Sequence, residues 1–362
     1  LKELEEERIN TMDIQELLER ACNEQASDIF LVAGLPITLK IKGHQERWGE
    51  GFCKPADTQR FVEQIYTVAK REDTHLCRGE DDDFSFAIGG LGRFRVNVFR
   101  QRGTLAAVIR LIQFGLPDPA ALGIPEEVLS LAENQKGLVL VTGAVGTGKS
   151  TTIACMIQRI NQGRDCHIIT MEDPIEYIYR HEKAIVTQRE ISIDTPGYPA
   201  ALRSALRESP DVILLGEMRD YDTVSAAITA TETGLLLFST LHTSSVAHTI
   251  TRIIDVFPAN QQQQVKIQLS QLLKGVVCQQ LVPSVDGGLI PIFEIMKSTN
   301  AIQNMIREDK LHQLESVLQS GAADGMCTMD GSLLKLCREG RITKETALVY
   351  CTHYEVMSKR LA

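Results

Sequence analysis

The chain has 362 residues, 43% of them apolar, and a formal net charge of −9 at pH 7. The length predicts two or three domains, and the apolar fraction is typical of packed globular cores rather than of a disordered chain. The negative charge disfavours a general nucleic-acid binder, because phosphate contacts need clustered Lys and Arg. No apolar run approaches the ~18 residues that cross a bilayer, so we expect a chain that does not span a membrane.

The amino terminus and the cysteines both indicate a cytoplasmic protein. The start, "LKELEEERIN", is acidic and prone to helix, unlike a secretory signal. Because the first residue is Leu1 and not Met, the numbering can begin inside a longer sequence. The nine cysteines are scattered and form no C-x-x-C pair, which predicts free thiols in a reducing compartment.

Residues 1–112 predict a mixed α/β domain. "MDIQELLERACNE" carries Ile14, Leu17, Leu18 and Ala21 at i, i+3, i+4 and i+7, the apolar stripe of a helix. "DIFLVAG" and "ITLKIKG" predict strands, and "FVEQIYTVA" predicts another helix. The runs "DFSFAI", "RFRVNVF" and "TLAAVIRLI" are separated by turns that contain glycine, which predicts an antiparallel meander.

A composition break follows at residues 113–127, "QFGLPDPAALGIPEE". Three prolines and two glycines in fifteen residues interrupt both helix and strand periodicity. This segment predicts a linker between residues 1–112 and a second domain at 128–362. We further expect the two domains to move rigidly about it as nucleotide turns over.

The second domain begins with apolar runs that alternate with helices, which is typical of a parallel sheet covered on both faces. The predicted helices begin near Lys149, Pro199 and Tyr221. The predicted strands are "GLVLVTG" (137–143), "CHIITME" (166–172), "DVILLGE" (211–217) and "GLLLFSTLH" (234–242). The rest of the chain is predicted to be mainly helical. One helix is expected to place Val265, Leu269, Leu272, Leu273 and Val276 on a single face.

The segment "GAVGTGKST" (143–151) between the first strand and the first helix matches the phosphate-loop pattern G-x-x-x-x-G-K-[ST]. Glycines let successive backbone N–H groups face a polyphosphate, and the helix that follows adds the positive end of its dipole. In this pattern Lys149 reaches the β- and γ-phosphates and Ser150 offers a hydroxyl to Mg²⁺. The alternative is a glycine-rich turn without a ligand. The predicted nucleotide-binding residues are Gly143, Gly146, Thr147, Gly148, Lys149, Ser150 and Thr151.

Three later strands also end in polar side chains, where ligands of a parallel α/β sheet bind. "IITMEDPIE" delivers Glu172, "DVILLGEMRD" delivers Glu217, and "LLLFSTLHT" delivers His242. Each alone is more typical of a helix cap or a solvated turn, but three such ends beside a phosphate loop favour a site for ATP and Mg²⁺. Glu217 is predicted to hold Mg²⁺ together with Ser150. Either Glu172 or Glu217 can orient the attacking water, and their spacing does not decide between them.

The developing negative charge of phosphoryl transfer also calls for arginine. In "GRFRVNVFRQRG", Arg93 and Arg95 share one face of a predicted strand. A solvated strand face is the ordinary explanation. Because both arginines lie outside the predicted nucleotide-binding domain, the functional alternative is that they act across a subunit boundary.

Longer segments carry a family resemblance. "ITMEDPIEY", "TQREISIDT", "ALRSALRESPDVILLGEMRD" and "TLHTSSVAHTITRIIDVFP" resemble the secretion-ATPase superfamily, most of all its PilT-like type IV pilus retraction ATPases. The resemblance implies a PAS-like amino-terminal domain, a RecA-like P-loop ATPase domain and a homohexameric ring. It also implies a cytoplasmic motor, peripheral to the inner membrane and docked on a pilus platform protein, that powers pilus retraction and twitching motility.

The resemblance assigns roles to single residues. Lys149 and Ser150 match the Walker A pair, Glu172 the Asp-box acid, and Glu217 the Walker B acid. His242 matches the second His-box histidine, and Arg93 and Arg95 fall in the arginine-bearing amino-terminal segment. Residues 301–308 match the retraction-associated motif. The chain departs from the family at Leu235, which replaces the first histidine of the His box, and at Gln303 and Met305 in "AIQNMIRE", for which the family has "AIRNLIRE".

Several alternatives stay open. A PilU-like accessory ATPase or a pilus-extension motor belongs to the same superfamily, although the larger amino-terminal region and the cysteine-paired metal insert of extension motors are not visible here. A RecA-like nucleic-acid translocase is the main rival outside the family. A regulatory nucleotide-binding scaffold, a metabolite kinase and a GTP switch protein are less favoured, the last because no N-K-x-D segment is present.

Overall fold

The structure is a computed structural model that describes residues 12–41, 43–49, 51–72, 79–112 and 115–362. It forms two compact units, Leu1–Gly115 and Leu116–Ala362. The boundary between the two units falls inside residues 113–127, the segment predicted as a linker. The two ends of that linker stay a prediction. The acidic start "LKELEEERIN" and residues 113 and 114 of that segment lie outside the described residues.

The described part of the first unit is one antiparallel sheet with two helices. Its six strands follow the order β3-β2-β1-β6-β5-β4. The elements are α1 (Ile14–Asn23), β1 (Ala26–Leu31), β2 (Ile37–Ile41), β3 (His44–Trp48), α2 (Pro55–Ala69), β4 (Asp82–Ile88), β5 (Gly92–Gln101) and β6 (Thr104–Ile112).

The amphipathic patterns of this unit are realised as predicted. In α1, the side chain of Asp13 accepts the backbone N–H of Gln15 at the first turn, and the four predicted apolar residues are all buried. In β5, Phe94 and Val96 are buried while Arg93 and Arg95 lie on the opposite, partly exposed face. Strand β3 was not predicted, because its sequence "HQERW" is exposed and almost wholly polar.

The second unit is built on a seven-stranded sheet. Across residues 116–362, all of them described, the strand order is β13-β12-β7-β11-β10-β8-β9. The strands are β7 (Gly137–Thr142), β8 (His167–Glu172), β9 (Ile185–Glu190), β10 (Val212–Glu217), β11 (Leu236–Leu241), β12 (Leu273–Pro283) and β13 (Leu289–Lys297). Six of them run parallel and only the edge strand β13 is antiparallel to its neighbour.

Helices cover both faces of this sheet. They are α3 (Glu126–Leu129), α4 (Lys149–Gly163), α5 (Tyr198–Ala205), α6 (Tyr221–Glu232), α7 (Val246–Asp255), α8 (Ala259–Leu272), α9 (Asn300–Arg307), α10 (Leu314–Ser320), α11 (Met329–Arg338), α12 (Lys344–Tyr350) and α13 (Tyr354–Leu361). Two separate apolar cores result, one on each side of the central strands. All residues of β7 and β11 are buried, which explains their continuous apolar runs.

The prediction of a mainly helical carboxyl-terminal part is wrong at the two strands β12 and β13. Helix α8 ends at Leu272, so Leu273 and Val276 belong to β12 and not to the helix. An apolar run of this length fits a buried helix or a strand buried on both faces, and periodicity does not separate them. In the structure, Gly275 pairs with Val139 of β7. A Cβ at Gly275 would lie 2.6 Å from Leu131 Cδ2, so only glycine fits this close packing.

Two further expectations concern the chain as a whole. The eight cysteines that the structure describes are free, and Cys77 lies outside the described residues. Among the described helices, none combines the length and the apolar character that a membrane span requires.

Candidate nucleotide-binding site

The loop between β7 and α4 has the backbone of a phosphate-binding loop. Gly143, Gly146 and Gly148 have φ values of 146°, 80° and 85°, which side chains other than glycine rarely allow. At Gly143 space is limiting as well, because a Cβ would lie 2.2 Å from the backbone oxygen of Gln279. Glycine at these positions is therefore a requirement of the loop's shape.

Lys149 lies beneath this loop. Its Nζ donates to the backbone oxygens of Gly143 and Ala144, at 3.0 and 2.8 Å. Burial lowers the pKa of Lys149, while the carboxylates of Glu217 and Glu176 act in the opposite direction. The ammonium is thus held at the base of the loop, within electrostatic reach of two acids.

The loop hydroxyls differ in their partners. Thr147 Oγ1 donates to Ala144 O at 2.9 Å, inside the loop. Ser150 Oγ donates to Glu176 Oε1 at 3.0 Å, and Thr151 Oγ1 lies 2.8 Å from Tyr177 Oη. The predicted metal ligand Ser150 therefore faces an exposed carboxylate in the segment after β8.

Glu172 ends β8 in a partly buried position. Its Oε1 accepts from Thr170 Oγ1 at 2.6 Å and from Gln188 Nε2 at 3.4 Å. Burial raises the pKa of Glu172 to about 7, although these hydrogen bonds favour the charged form. This carboxyl group can accordingly gain or lose a proton near neutral pH.

Glu217 ends β10 and contacts the end of the neighbouring strand. Its Oε2 lies 3.2 Å from His242 Nε2, just beyond β11, and its Oε1 lies 2.5 Å from Arg219 Nη2. The Glu217 side chain is 14% exposed, whereas those of Arg219 and His242 are 73% and 43% exposed. The structure thus brings together Glu217 and His242, which are predicted from separate strand ends.

Arg93 and Arg95 lie in the other unit, on β5. Arg95 makes two parallel bonds to Asp83, from Nε to Oδ1 at 3.0 Å and from Nη2 to Oδ2 at 2.6 Å. Within its own unit, this arginine is therefore held by an exposed ion pair.

Gln279 in β12 contacts the loop and was not predicted. Its Nε2 donates to Thr147 O at 2.7 Å, and its Oε1 accepts from Thr152 Oγ1 at 2.6 Å. The available sequence signal was two consecutive glutamines inside the apolar run "GVVCQQLV". A buried polar side chain in such a run requires a hydrogen-bonding partner.

The residues present fit a nucleotide polyphosphate. The first turn of α4, described in full, holds no acidic residue of its own, which leaves its backbone N–H groups suited to an anion. Across the described residues, no group of three or more His, Cys, Asp and Glu could hold a metal ion. A divalent cation at Ser150 and Glu217 would therefore need phosphate or water oxygens to complete its coordination.

Comparisons with known proteins agree with this geometry. Residues 3–288 match the family model described as type II/IV secretion system protein. The chain is 43% identical to the type IV pilus retraction ATPase PilT of Pseudomonas aeruginosa over 336 residues, which cover 93% of this chain and 97% of the relative. It is 38% identical to the type IV pilus ATPase PilU of the same organism, over 94% of this chain and 88% of the relative.

Among solved structures, the chain resembles the crystal structure of the pilus retraction motor PilT with bound ADP. The TM-score is 0.86 at 43% sequence identity, with 96% of this chain and 99% of the other covered. The predicted fold class, a smaller amino-terminal α/β domain beside a RecA-like ATPase domain, is confirmed by this match. The chain therefore belongs to the type II/IV secretion system protein family and is a PilT-like ATPase.

Proposed function

We propose that this chain is the Mg²⁺-dependent ATPase of a homohexameric motor that powers type IV pilus retraction. The proposal places the ring at the inner face of the cytoplasmic membrane, docked on a pilus platform protein. One observation carries the enzymatic part: the Lys149 ammonium lies beneath a glycine-shaped loop, within electrostatic reach of Glu217 and Glu176. The 43% identity to PilT over 93% of this chain supports the cellular part.

In this proposal, the loop amides of residues 143–148 and the Lys149 ammonium hold the nucleotide phosphates. Ser150 Oγ and Glu217 would hold Mg²⁺, which would supply positive charge against the negative charge that develops during phosphoryl transfer. Because loop and helix α4 are fixed by the sheet behind them, these groups are positioned before the reaction begins.

We assign the role of water-orienting base to Glu172 rather than to Glu217. A general base works best when its pKa lies near the working pH, and burial raises the pKa of Glu172 to about 7. Glu217 is instead engaged by Arg219 and His242 through its two carboxylate oxygens. In this arrangement Glu172 accepts the proton of the attacking water, and His242 steadies Glu217.

Arg93 and Arg95 are proposed to complete the site of a neighbouring subunit. They lie on the partly exposed face of β5, in a unit separate from the phosphate loop. An arginine that stabilises the transition state can be supplied by another chain, which makes turnover dependent on assembly. This dependence would let each hydrolysis event be sensed by the next subunit of the ring.

A PilU-like accessory ATPase is the second candidate. It is favoured by Gln303, which removes a positive charge from the segment resembling the retraction motif, and by the 38% identity to PilU. Gln303 lies on α9 and is partly exposed, beside the buried Ile302. The substitution changes surface charge there and leaves the nucleotide-binding loop unaltered.

Deleting the gene in its host tests the cellular function. We expect cells with excess surface pili and no twitching, restored by the parent gene and by Lys136→Ala but not by Lys149→Ala. Lys136 is an exposed lysine at the opposite end of β7 and serves as the matched control. Bald cells would indicate an extension motor, and continued twitching would indicate an accessory role. A salt-sensitive affinity of the purified chain for DNA would instead favour a translocase.

A further inference from the structure

Gln279 joins the phosphate loop to the helix behind it. Gln279 is 3% exposed and lies in β12. Cys278, the residue before it, pairs with Thr142 at the end of β7. Its side-chain amide bridges Thr147 of the loop and Thr152 of α4, through hydrogen bonds of 2.7 and 2.6 Å. One buried side chain thus spans the two elements that would hold the phosphates.

The two partners fix the orientation of the amide. Thr147 contributes a backbone carbonyl, which can only accept, so the NH₂ group of Gln279 must face it. The carbonyl group of the amide then faces the hydroxyl of Thr152, which donates. A glutamate carboxylate at this position could still accept from the Thr152 hydroxyl. It would, however, place a second acceptor against the acceptor Thr147 O.

The bond to Thr147 O has a consequence for the next N–H group. Thr147 and Gly148 share one peptide plane, in which the carbonyl oxygen and the N–H point in opposite directions. Holding Thr147 O toward Gln279 therefore turns the Gly148 N–H away from Gln279. Gly148 also precedes α4, where N–H groups attract anions, and a Cβ at this glycine would lie 3.0 Å from Gln279 Nε2.

We propose that Gln279 is a positioning residue that aims the Gly148 N–H at the bound phosphate by holding the carbonyl of the same peptide unit. The inference rests on the proposed nucleotide-binding function and adds a residue from β12, 130 positions downstream of the loop's Lys149. In this proposal Gln279 acts on the loop peptide and not on the nucleotide itself. Its amide sets the orientation of one loop peptide, and its backbone oxygen, close to Gly143, limits movement of the loop's other end.

Three variants of the full chain test this inference: Gln279→Glu, Gln279→Met and Thr152→Val. The measurements are the affinity for a fluorescent ADP analogue with Mg²⁺, kcat and KM for ATP, and the unfolding temperature, between pH 6 and 8.5. Each value is divided by that of the parent chain at the same pH, which removes the titration of Glu172. Thr152→Val is the matched control, because it removes the bond that orients the amide but leaves the bond to the loop possible.

At pH 8 we expect Gln279→Glu to weaken ADP binding by about 10–100-fold, the effect of leaving a buried acceptor unpaired. Binding should recover at least several-fold toward pH 6, because a protonated carboxyl can again donate to Thr147 O. We expect Gln279→Met to weaken binding by about tenfold at every pH, and Thr152→Val by less than about fivefold. KM for ATP should rise more than kcat falls.

Two results would overturn the inference while leaving the proposed function intact. One is parent-like affinity in both Gln279 variants. The other is a loss of ADP affinity that does not recover at low pH and that is accompanied by a lower unfolding temperature. That result would make Gln279 a residue needed only for packing. Failure of the parent chain to bind the ADP analogue would contradict the proposed function, and with it this inference.

Discussion

The two sheets of this molecule place their charged side chains in different ways. In the first unit, charges lie on strand faces and pair across strands: Arg95 with Asp83 at 2.6 Å and Arg110 with Asp28 at 3.0 Å. Within β8 and β10 of the second unit, whose residues are all described, the only acids are Glu172 and Glu217, each at the carboxyl end. The first sheet thus carries charge along a strand face, whereas β8 and β10 of the second sheet carry their acids only at their carboxyl ends.

Burial explains this difference. An antiparallel sheet with helices on one face leaves the other face for polar residues, which find partners on adjacent strands. Strands β8 and β10 lie inside a parallel sheet covered on both faces and have no such surface, so their carboxylates lie where the strands end. We expect the ion pairs of the first sheet to contribute mainly to stability, and the acids at the strand ends of the second sheet to contribute mainly to ATP turnover. Four predictions test this division, from the largest expected effect to the smallest.

Lys149→Ala should give the largest change. Removing the ammonium beneath the loop should lower ATP turnover on the order of 1000-fold, because this charge has no substitute at the phosphates. The unfolding temperature should change little. Steady-state phosphate release by the purified chain measures the effect, with Lys136→Ala as the control. Turnover at the parent rate would show that the loop is not the site.

Asp82→Asn should act on the other sheet in the opposite manner. The Asp82 carboxylate is 3% exposed, accepts two bonds from Arg71 at 2.8 and 3.0 Å, and accepts the Tyr66 hydroxyl at 2.8 Å. Because Asp82 is buried but the Arg71 side chain is 35% exposed, the loss should lower the free energy of unfolding of the first unit by about 2 kcal/mol. Affinity for ADP should stay unchanged.

Urea unfolding followed by circular dichroism measures this loss, and Asp83→Asn is the matched control. Asp83 is the next residue on β4 and its side chain is 45% exposed, so its pair with Arg95 should contribute little. Equal losses in the two variants, or weaker ADP binding by Asp82→Asn, would break the division between the sheets.

Glu172→Gln should lower turnover and yet stabilise the fold in a pH-dependent way. Burial raises the pKa of Glu172 to about 7, so charging this group destabilises the folded chain as pH rises from the unfolded pKa near 4.5 through about 7. The variant should therefore gain about 1–2 kcal/mol at pH 8, a figure reduced for the partial exposure of the carboxyl, and almost nothing at pH 4.

Unfolding in urea at both pH values gives this difference, with Glu176→Gln as the matched replacement of a carboxylate by an amide at an exposed position. In the parent chain, kcat should rise as pH increases through about 7, since the base must be unprotonated. A pH-independent gain in stability would contradict the burial of a titrating carboxyl. Parent-like turnover by Glu172→Gln would return the role of base to Glu217.

Arg95→Ala and Asp83→Ala should have the smallest effects on stability, and comparing their ATP turnover tests whether Arg95 acts on a neighbouring subunit. Both remove the same exposed ion pair, so each should change the free energy of unfolding by less than about 0.5 kcal/mol. If Arg95 acts on a neighbouring subunit, only Arg95→Ala should lower ATP turnover. Mixing Arg95→Ala with Glu217→Ala chains should then restore part of the activity. Equal turnover in both single variants would remove Arg95 from the site.

Local sequence patterns predicted much of the fold. The period of Ile14, Leu17 and Leu18 indicated α1, and alternation from Phe94 to Val98 indicated β5, because each pattern reflects burial within one element. The same reasoning failed at β12, where Leu273 and Val276 fit a helix and a buried strand equally well. At this segment, strand rather than helix is selected by the pairing of β12 with β7, which lies more than 130 residues earlier in the sequence.

The candidate site divides along the same line. The sequence by itself determined the phosphate loop, since glycine, lysine and serine at that spacing carry their chemistry locally, and it placed Glu172, Glu217 and His242 at strand ends. Only the tertiary structure decided that Glu217 meets His242, that burial raises the pKa of Glu172, and that Gln279 contacts Thr147. Those properties depend on which distant strands become neighbours and how much water they exclude, and neither is written in any short stretch of residues.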